Sequence, residues 1–214
     1  MKDTYFTIAS PTKGEFKDRG SKFIAYAYPI EQTSQAQDRL NEIKKEHFKA
    51  RHHCYAYRLG LDQNNFRAND DGEPSGTAGK PILGQLNKLE LTNTIVIVVR
   101  YFGGTKLGTS GLINAYRTAT AVALEQANII QKTVKEQYRI AFDYRLMSDV
   151  MNAIKKGNIE VVNQLFEAAA AIEIAIPLSE VESKLLQLRA NIAKCNIAET
   201  DKLENIEGLE IDLI

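Results

Sequence analysis

The sequence predicts an α+β protein with two domains, one at residues 1–134 and one at residues 135–214. Segments with the two-residue period of strands alternate with segments of helical period along the whole chain. Of the 13 glycines, only Gly157 and Gly208 follow Lys132. The polar stretch 132–136 therefore separates regions of different composition, and we predict that it is a short polar bridge between the two domains. At 214 residues the chain is long enough for two small cores.

In the front domain, several strands precede and follow the first helix. The expected strands are 5–9, 14–18, 22–28, 52–59, 65–68 and 94–99. The last is apolar on both faces, as a central buried strand is. The first helix is expected to be capped by Thr33 or Ser34, with Ala36, Leu40, Ile43 and His47 on one side. Two further helices are expected at 78–89 and from Thr109 or Ser110 to about 127.

The rear domain shows a complete alternation of strands and helices. Strands are expected at 138–144, 160–166, 172–176 and 209–213. Helices are expected at 148–156, ended by Gly157, and at 180–194. The resulting order β-α-β-β-α-β is that of the ferredoxin-like fold.

Composition excludes several classes of protein. With 44% apolar and 25% charged residues, the chain is typical of soluble globular proteins. Its longest apolar run, 95–99, is too short to span a bilayer, and no secretory signal precedes it, so we expect a cytoplasmic protein without membrane contacts. Cys54 and Cys195 are too remote in sequence to suggest a disulfide framework.

Charge is unevenly distributed although the formal net charge is zero. Residues 1–134 carry 18 Lys/Arg against 13 Asp/Glu, a balance of +5, and the remainder balances at −5. A basic front domain suits an anionic partner, and the alternative is an ordinary solvated surface.

The glycine loop, residues 100–111, is the strongest candidate for a ligand site. Its glycines permit tight turns, and free N–H groups at the following helix start favour an anion. Arg100 and Lys106 add positive charge. The spacing matches neither common phosphate-binding glycine motif. The alternative is a strand-to-helix turn without a ligand.

The acidic loop, residues 69–79, contains Asp70, Asp71 and Glu73. These carboxylates would suit Mg²⁺ or general-base catalysis beside a phosphate site, but the same residues are also typical of a simple turn. His52 and Cys54 share one face of the expected strand 52–59 and lack the further ligands of a zinc site. We therefore predict no metal ion, and a core-facing Cys54 in preference to a nucleophile.

Four segments resemble the YigZ/IMPACT family: GSKFIA at 20–25, RHHCYAYR at 51–58, DDGEPSGTAGKP at 70–81 and VRYFGGTKLGTSGL at 99–112. The resemblance implies a front domain with the left-handed β-α-β fold of elongation factor G domain IV and a rear domain like its domain V. It also implies a link to translation, with nucleic acid or the translation apparatus as partner. In the eukaryotic members, an additional N-terminal partner-binding domain regulates translation. There is no room for that domain before Tyr5, so we do not expect this regulatory mechanism here.

The predicted function is a non-enzymatic, translation-associated binding protein that contacts RNA or the ribosome and uses no cofactor or catalytic residue. The alternative is an enzyme acting on a phosphorylated small molecule or nucleotide at the same loops, since KLGTS at 106–110 loosely resembles the phosphate loop GLGSS of kinases with the left-handed fold. The sequence leaves the oligomeric state open.

Candidate stacking aromatics are Tyr55, Tyr57, Tyr101 and Phe102, of which we expect Phe102 to be the most buried. The predicted binding residues are Arg51, His52, Asp71, Glu73, Thr77, Arg100, Tyr101, Gly103, Gly104, Lys106, Gly108, Thr109, Ser110 and Gly111.

Overall fold

The computed structural model describes residues 3–61, 64–166, 170–197 and 206–214. The chain divides into two compact units. The first is Thr4–Lys132, and the second contains Asp3 and Thr133–Ile214. No helix in the described ranges is both long and apolar enough to cross a membrane. Whether each unit folds independently stays a prediction.

The first unit is built on a five-stranded antiparallel sheet with the order β2-β3-β6-β4-β5. A separate two-stranded sheet pairs β1 with β7. The strands are β1 (Thr4–Ile8), β2 (Thr12–Asp18), β3 (Ser21–Pro29), β4 (His52–Leu59), β5 (Asn65–Asn69), β6 (Thr94–Tyr101) and β7 (Ile129–Thr133). The helices are α1 (Thr33–Glu46), α2 (Gly79–Lys88) and α3 (Gly108–Glu125).

Helices cover both faces of the five-stranded sheet. Val96 and Val98 of β6 belong to the core formed with α2 and α3, and Ile95 and Ile97 belong to the core formed with α1. Side chains alternate between the two faces of a strand, so a strand covered on both faces must be apolar throughout. This explains the continuous apolar run of β6, which carries the glycine loop at its end.

The second unit contains a four-stranded antiparallel sheet with the order β11-β8-β10-β9. Its elements are β8 (Lys135–Phe142), α4 (Met147–Lys156), β9 (Glu160–Phe166), β10 (Ala170–Pro177), α5 (Val181–Ala193) and β11 (Leu209–Leu213). Val150 and Leu188 of the two helices share a core with Ile140 and Ile172 of the sheet. Asp3 joins this unit through a hydrogen bond from Ser179 Oγ to its carboxylate at 2.5 Å.

Two local predictions were wrong. The expected polar bridge 132–136 instead contains the end of β7 and the start of β8, with only Val134 between them. β7 pairs with β1, more than 120 residues earlier in the chain, and local polarity cannot reveal such a partner. The expected cap of α1 was also misplaced, because this helix already begins at Thr33, and α3 begins at Gly108, one residue before its earliest expected start. Thr109 and Ser110 therefore lie in the first turn of α3.

Two glycines of the first unit should respond oppositely to alanine. At Gly14 of β2 an added Cβ would lie 2.4 Å from the backbone nitrogen of Ala123 in α3, whereas at Gly84 of α2 nothing lies within 4 Å. We expect Gly14→Ala to lower the free energy of unfolding by about 1–3 kcal/mol through overpacking. Gly84→Ala should raise it by about 0.5–1 kcal/mol, because alanine favours a helix interior over glycine.

Urea unfolding followed by tyrosine fluorescence measures both changes. The chain has no tryptophan, and seven of its nine tyrosines precede Lys132, so the signal reports mainly on the first unit. A Gly14→Ala protein as stable as the parent would show that β2 does not pack this closely on α3.

Candidate functional site

A cleft of about 890 Å³ opens in the first unit between the acidic loop and the glycine loop. The antiparallel register explains why these segments meet. His52 at the start of β4 lies opposite Arg100 near the end of β6, so the chain entering β4 and the chain leaving β6 share one end of the sheet. The start of α3 closes the same side. We call this feature the basic cleft.

The structure brings eight of the 14 predicted binding residues to the basic cleft, namely Arg51, His52, Glu73, Arg100, Tyr101, Lys106, Gly108 and Thr109. The other six do not line it. These are Asp71, Thr77, Gly103, Gly104, Ser110 and Gly111. Among the lining residues that the sequence did not suggest, Lys49 and Pro74 matter most. Lys49 lies two residues before Arg51. Its position just before the expected start of β4 was the signal that could have identified it as a cleft residue.

A buried ion pair forms the floor of the basic cleft. Arg100 Nη1 donates to Glu73 Oε1 at 2.7 Å, and the two side chains are only 8% and 3% exposed. The hydroxyl of Tyr116 donates to the same oxygen at 2.7 Å, and the thiol of Cys54 donates to that hydroxyl at 3.3 Å. The glycine loop, the acidic loop, α3 and β4 are thereby joined by one chain of hydrogen bonds. Buried charges require such partners.

Cys54 is a core residue, as predicted. Its side chain is completely buried, and burial raises the pKa of its thiol far above the ordinary value. A thiol in this state is a poor nucleophile because the thiolate is the reactive species. In the described part of the chain, no three His, Cys, Asp or Glu side chains converge in the way a metal site requires.

The acidic loop uses its polar groups to hold its own shape. The Asp70 carboxylate accepts hydrogen bonds from the N–H groups of Gly76, Ala78 and Gly79 at 2.8–2.9 Å. Burial alone would raise the pKa of Asp70, but these three donors outweigh it and hold that pKa below its usual range. Asp71 Oδ2 accepts the His53 N–H at 2.7 Å, and Thr77 Oγ1 donates to the Pro74 carbonyl at 2.6 Å.

Asp71 also positions one wall of the basic cleft through its backbone. His52 Nδ1 lies 2.9 Å from the Asp71 carbonyl oxygen. A carbonyl oxygen can only accept, so Nδ1 carries the proton of this hydrogen bond. Asp71 therefore contributes to the shape of the site without lining it. Its backbone φ of 41° lies in the left-handed region, where Asp is tolerated better than most residues.

The glycines of the glycine loop have different roles. An added Cβ at Gly103 would lie 1.8 Å from the backbone carbon of Gly20, so the close approach of two chain segments requires glycine there. Gly108 has a φ of 72° and open space around it. Among the described residues, the N–H groups of Gly108, Thr109 and Ser110 have no acceptor. The start of α3 is therefore free to bind an anion.

Positive charge dominates the basic cleft. Lys49, Arg51, Arg100 and Lys106 line it, and Glu73 is the one carboxylate among its lining residues. Glu73 already pairs with Arg100, whereas Lys49, Arg51 and Lys106 have no carboxylate partner in the described ranges. Arg100 keeps a buried Nε that no described residue accepts from. This arrangement of cations and free N–H groups suits a phosphorylated ligand.

The structure contradicts the stacking role at Tyr55 and Tyr57 and the expected burial of Phe102. Phe102 is 57% exposed, whereas Tyr55 and Tyr57 are buried in the core beside α1. β4 is covered on both faces, so its tyrosines cannot reach solvent. Phe102 follows the last residue of β6, where the chain leaves the sheet. Tyr101 lines the basic cleft, and its hydroxyl is hydrogen-bonded with His47 Nδ1 at 2.9 Å.

The burial of the Arg100–Glu73 pair can be tested against an exposed pair of the same length. Arg39 and Glu42 on α1 are also 2.7 Å apart, but their side chains are 43% and 58% exposed. We expect Glu73→Gln to lower the free energy of unfolding of the first unit by about 3–5 kcal/mol, because Arg100 is left buried without a counter-charge. Glu42→Gln should lower it by at most about 0.5 kcal/mol. Urea unfolding followed by tyrosine fluorescence gives both values, and equal losses would contradict a buried pair.

Comparison with known proteins assigns the chain to a family. The family model of the Impact N-terminal domain matches residues 19–124, which include the basic cleft. The IMPACT family member YvyE of Bacillus subtilis (strain 168) is 36% identical over 156 residues, covering 73% of this chain and 72% of its own. The IMPACT family member YigZ of Escherichia coli (strain K12) is 30% identical over 181 residues, covering 84% and 89%. A crystal structure of a hypothetical protein covers 100% of this chain and 98% of its own, with a TM-score of 0.69 and 27% identity. The chain belongs to the IMPACT family.

Proposed function

We propose that this protein is a non-enzymatic binding protein that acts in translation in the cytoplasm and binds RNA, free or in the ribosome, through the basic cleft. One observation carries the proposal. Lys49, Arg51 and Lys106 have no carboxylate partner among the described residues, and they share the cleft with N–H groups at the start of α3 that have no acceptor there. Phosphate contacts of this kind supply most of the affinity in nucleic-acid binding. The link to translation rests on membership of the IMPACT family.

The same cleft also suits a phosphorylated small molecule, which is the second candidate function. Its volume of about 890 Å³ lies within the range of small-molecule pockets. Phosphoryl-transfer enzymes, however, need carboxylates that are free to hold Mg²⁺. Here Asp70, Asp71 and Glu73 all accept hydrogen bonds from protein donors. These contacts favour binding over catalysis.

The proposal extends to the two folds. We propose that the first unit has the left-handed β-α-β fold of elongation factor G domain IV and that the second is ferredoxin-like. The second unit supports this through its β-α-β-β-α-β element order and its strand order β11-β8-β10-β9. We also propose that the two units are separate domains, because each has its own hydrophobic core.

Salt dependence and lysine variants test RNA binding. With three or four phosphates of a single strand neutralised, the slope of log affinity against log salt should be about −2 to −3. Lys49→Ala and Lys106→Ala should each reduce the magnitude of this slope by about 0.7, since each removes one phosphate contact. Lys45→Ala is the matched control, because Lys45 is exposed on α1 and does not line the cleft. Fluorescence anisotropy with a short labelled RNA gives the affinities.

Either of two results would contradict this proposal. The affinity could be independent of salt, or Lys45→Ala could weaken binding as much as the cleft variants do. Calorimetry with Mg-ATP separates the second candidate function. Micromolar binding of Mg-ATP that is lost when Mg²⁺ is removed would favour the enzyme.

A further inference from the structure

Phe102 presents an unusual surface at the basic cleft. Its side chain is 57% exposed, although a phenylalanine is stabilised by leaving water. The Arg100 guanidinium lies 5.6 Å from the centre of the Phe102 ring and 5.5 Å from that of Phe23. Phe102 is therefore supported from within the protein by a buried cation, and it still contributes exposed ring surface to the cleft.

An exposed aromatic ring beside a phosphate site is the arrangement that single-stranded nucleic acids require. A base stacks on the ring while the neighbouring phosphate contacts cations or backbone N–H groups. Both parts line the same cleft here, with Phe102 in the glycine loop and Gly108 and Thr109 at the start of α3. The Arg100 guanidinium beside Phe102 is paired with Glu73, and its buried Nε has no acceptor among the described residues.

A duplex would not use these features. Its bases already stack on neighbours above and below, so none can cover Phe102 without leaving the helix. Its phosphates lie on a convex outer surface, whereas Arg100 is at the floor of the cleft and only 8% exposed. An unpaired nucleotide can enter a concave site with both its base and its phosphate.

We propose that the basic cleft selects single-stranded RNA, with one unpaired base stacked on Phe102 and an adjacent phosphate at the N–H groups of Gly108 and Thr109. This inference rests on the proposed RNA-binding function and adds the form of RNA that is bound. The chemistry at Phe102 is stacking, so it discriminates paired from unpaired bases more strongly than it discriminates one base from another.

The experiment compares one RNA sequence in two forms, single-stranded and as a blunt duplex, by anisotropy with the full chain. The parent should bind the single strand at least tenfold more tightly than the duplex at the same salt concentration. Phe102→Ala should weaken single-strand binding by about 5- to 150-fold, the range found for loss of one stacked base. Phe102→Trp should retain it. Phe66→Ala is the matched control, because Phe66 is 55% exposed on β5 and does not line the cleft.

A 2-aminopurine placed in the single strand reports stacking directly. Its fluorescence should be quenched by the parent and by Phe66→Ala, and not by Phe102→Ala. Equal affinity for duplex and single strand, or unchanged binding in Phe102→Ala, would overturn the stacking proposal. If the stacking proposal fails but salt-dependent binding that requires Lys49 and Lys106 persists, the proposed RNA-binding function still stands. Failure of both RNA forms to bind would overturn both.

Discussion

The buried ion pair between Arg100 and Glu73 determines the shape of the candidate site. Each residue comes from a different loop, so their 2.7 Å contact sets the separation of the acidic and glycine loops. Removing two charges from water is costly, and the short ion pair with its further hydrogen bonds offsets that cost. Tyr116 supplies the additional donor from α3, and Arg100 is the next-to-last residue of β6, in which every residue except Tyr101 is buried. The cleft is therefore formed before a ligand arrives.

The polar groups around the cleft are of two kinds. Some are hydrogen-bonded within the protein and hold the cleft in shape, and others are available to a ligand. Asp70 is fully engaged by the three N–H groups that precede and begin α2, so the start of that helix is not available to an anion. At the start of α3 the N–H groups of Gly108, Thr109 and Ser110 have no acceptor among the described residues, and Gly108 and Thr109 line the cleft with three cations, Lys49, Arg51 and Lys106. Of the two helix starts in the glycine-rich region, only one is therefore suited to binding phosphate.

Much of the fold follows from local patterns, and the exceptions have identifiable causes. The apolar run of β6 follows from burial of both faces of this strand, so it can be recognised in the sequence. The pairing of β7 with β1 depends on a distant partner and left no local sign. In the site, Arg100 and Lys106 were predictable from charge beside glycines. The structural role of Asp71 and the exposure of Phe102 could not be predicted from the sequence. Both depend on where the chain turns after a strand ends.

The amide groups at the start of α3 provide the most direct measurement of whether this cleft is the binding site. ¹⁵N-labelled protein can be titrated with a short oligouridylate while its amide chemical shifts are recorded. We expect the largest changes at Gly108, Thr109 and Ser110, with little change at Gly76 and Gly79, whose N–H groups already bind Asp70. Binding that shifts amides elsewhere and leaves Gly108, Thr109 and Ser110 unmoved would show that the basic cleft is not where RNA binds.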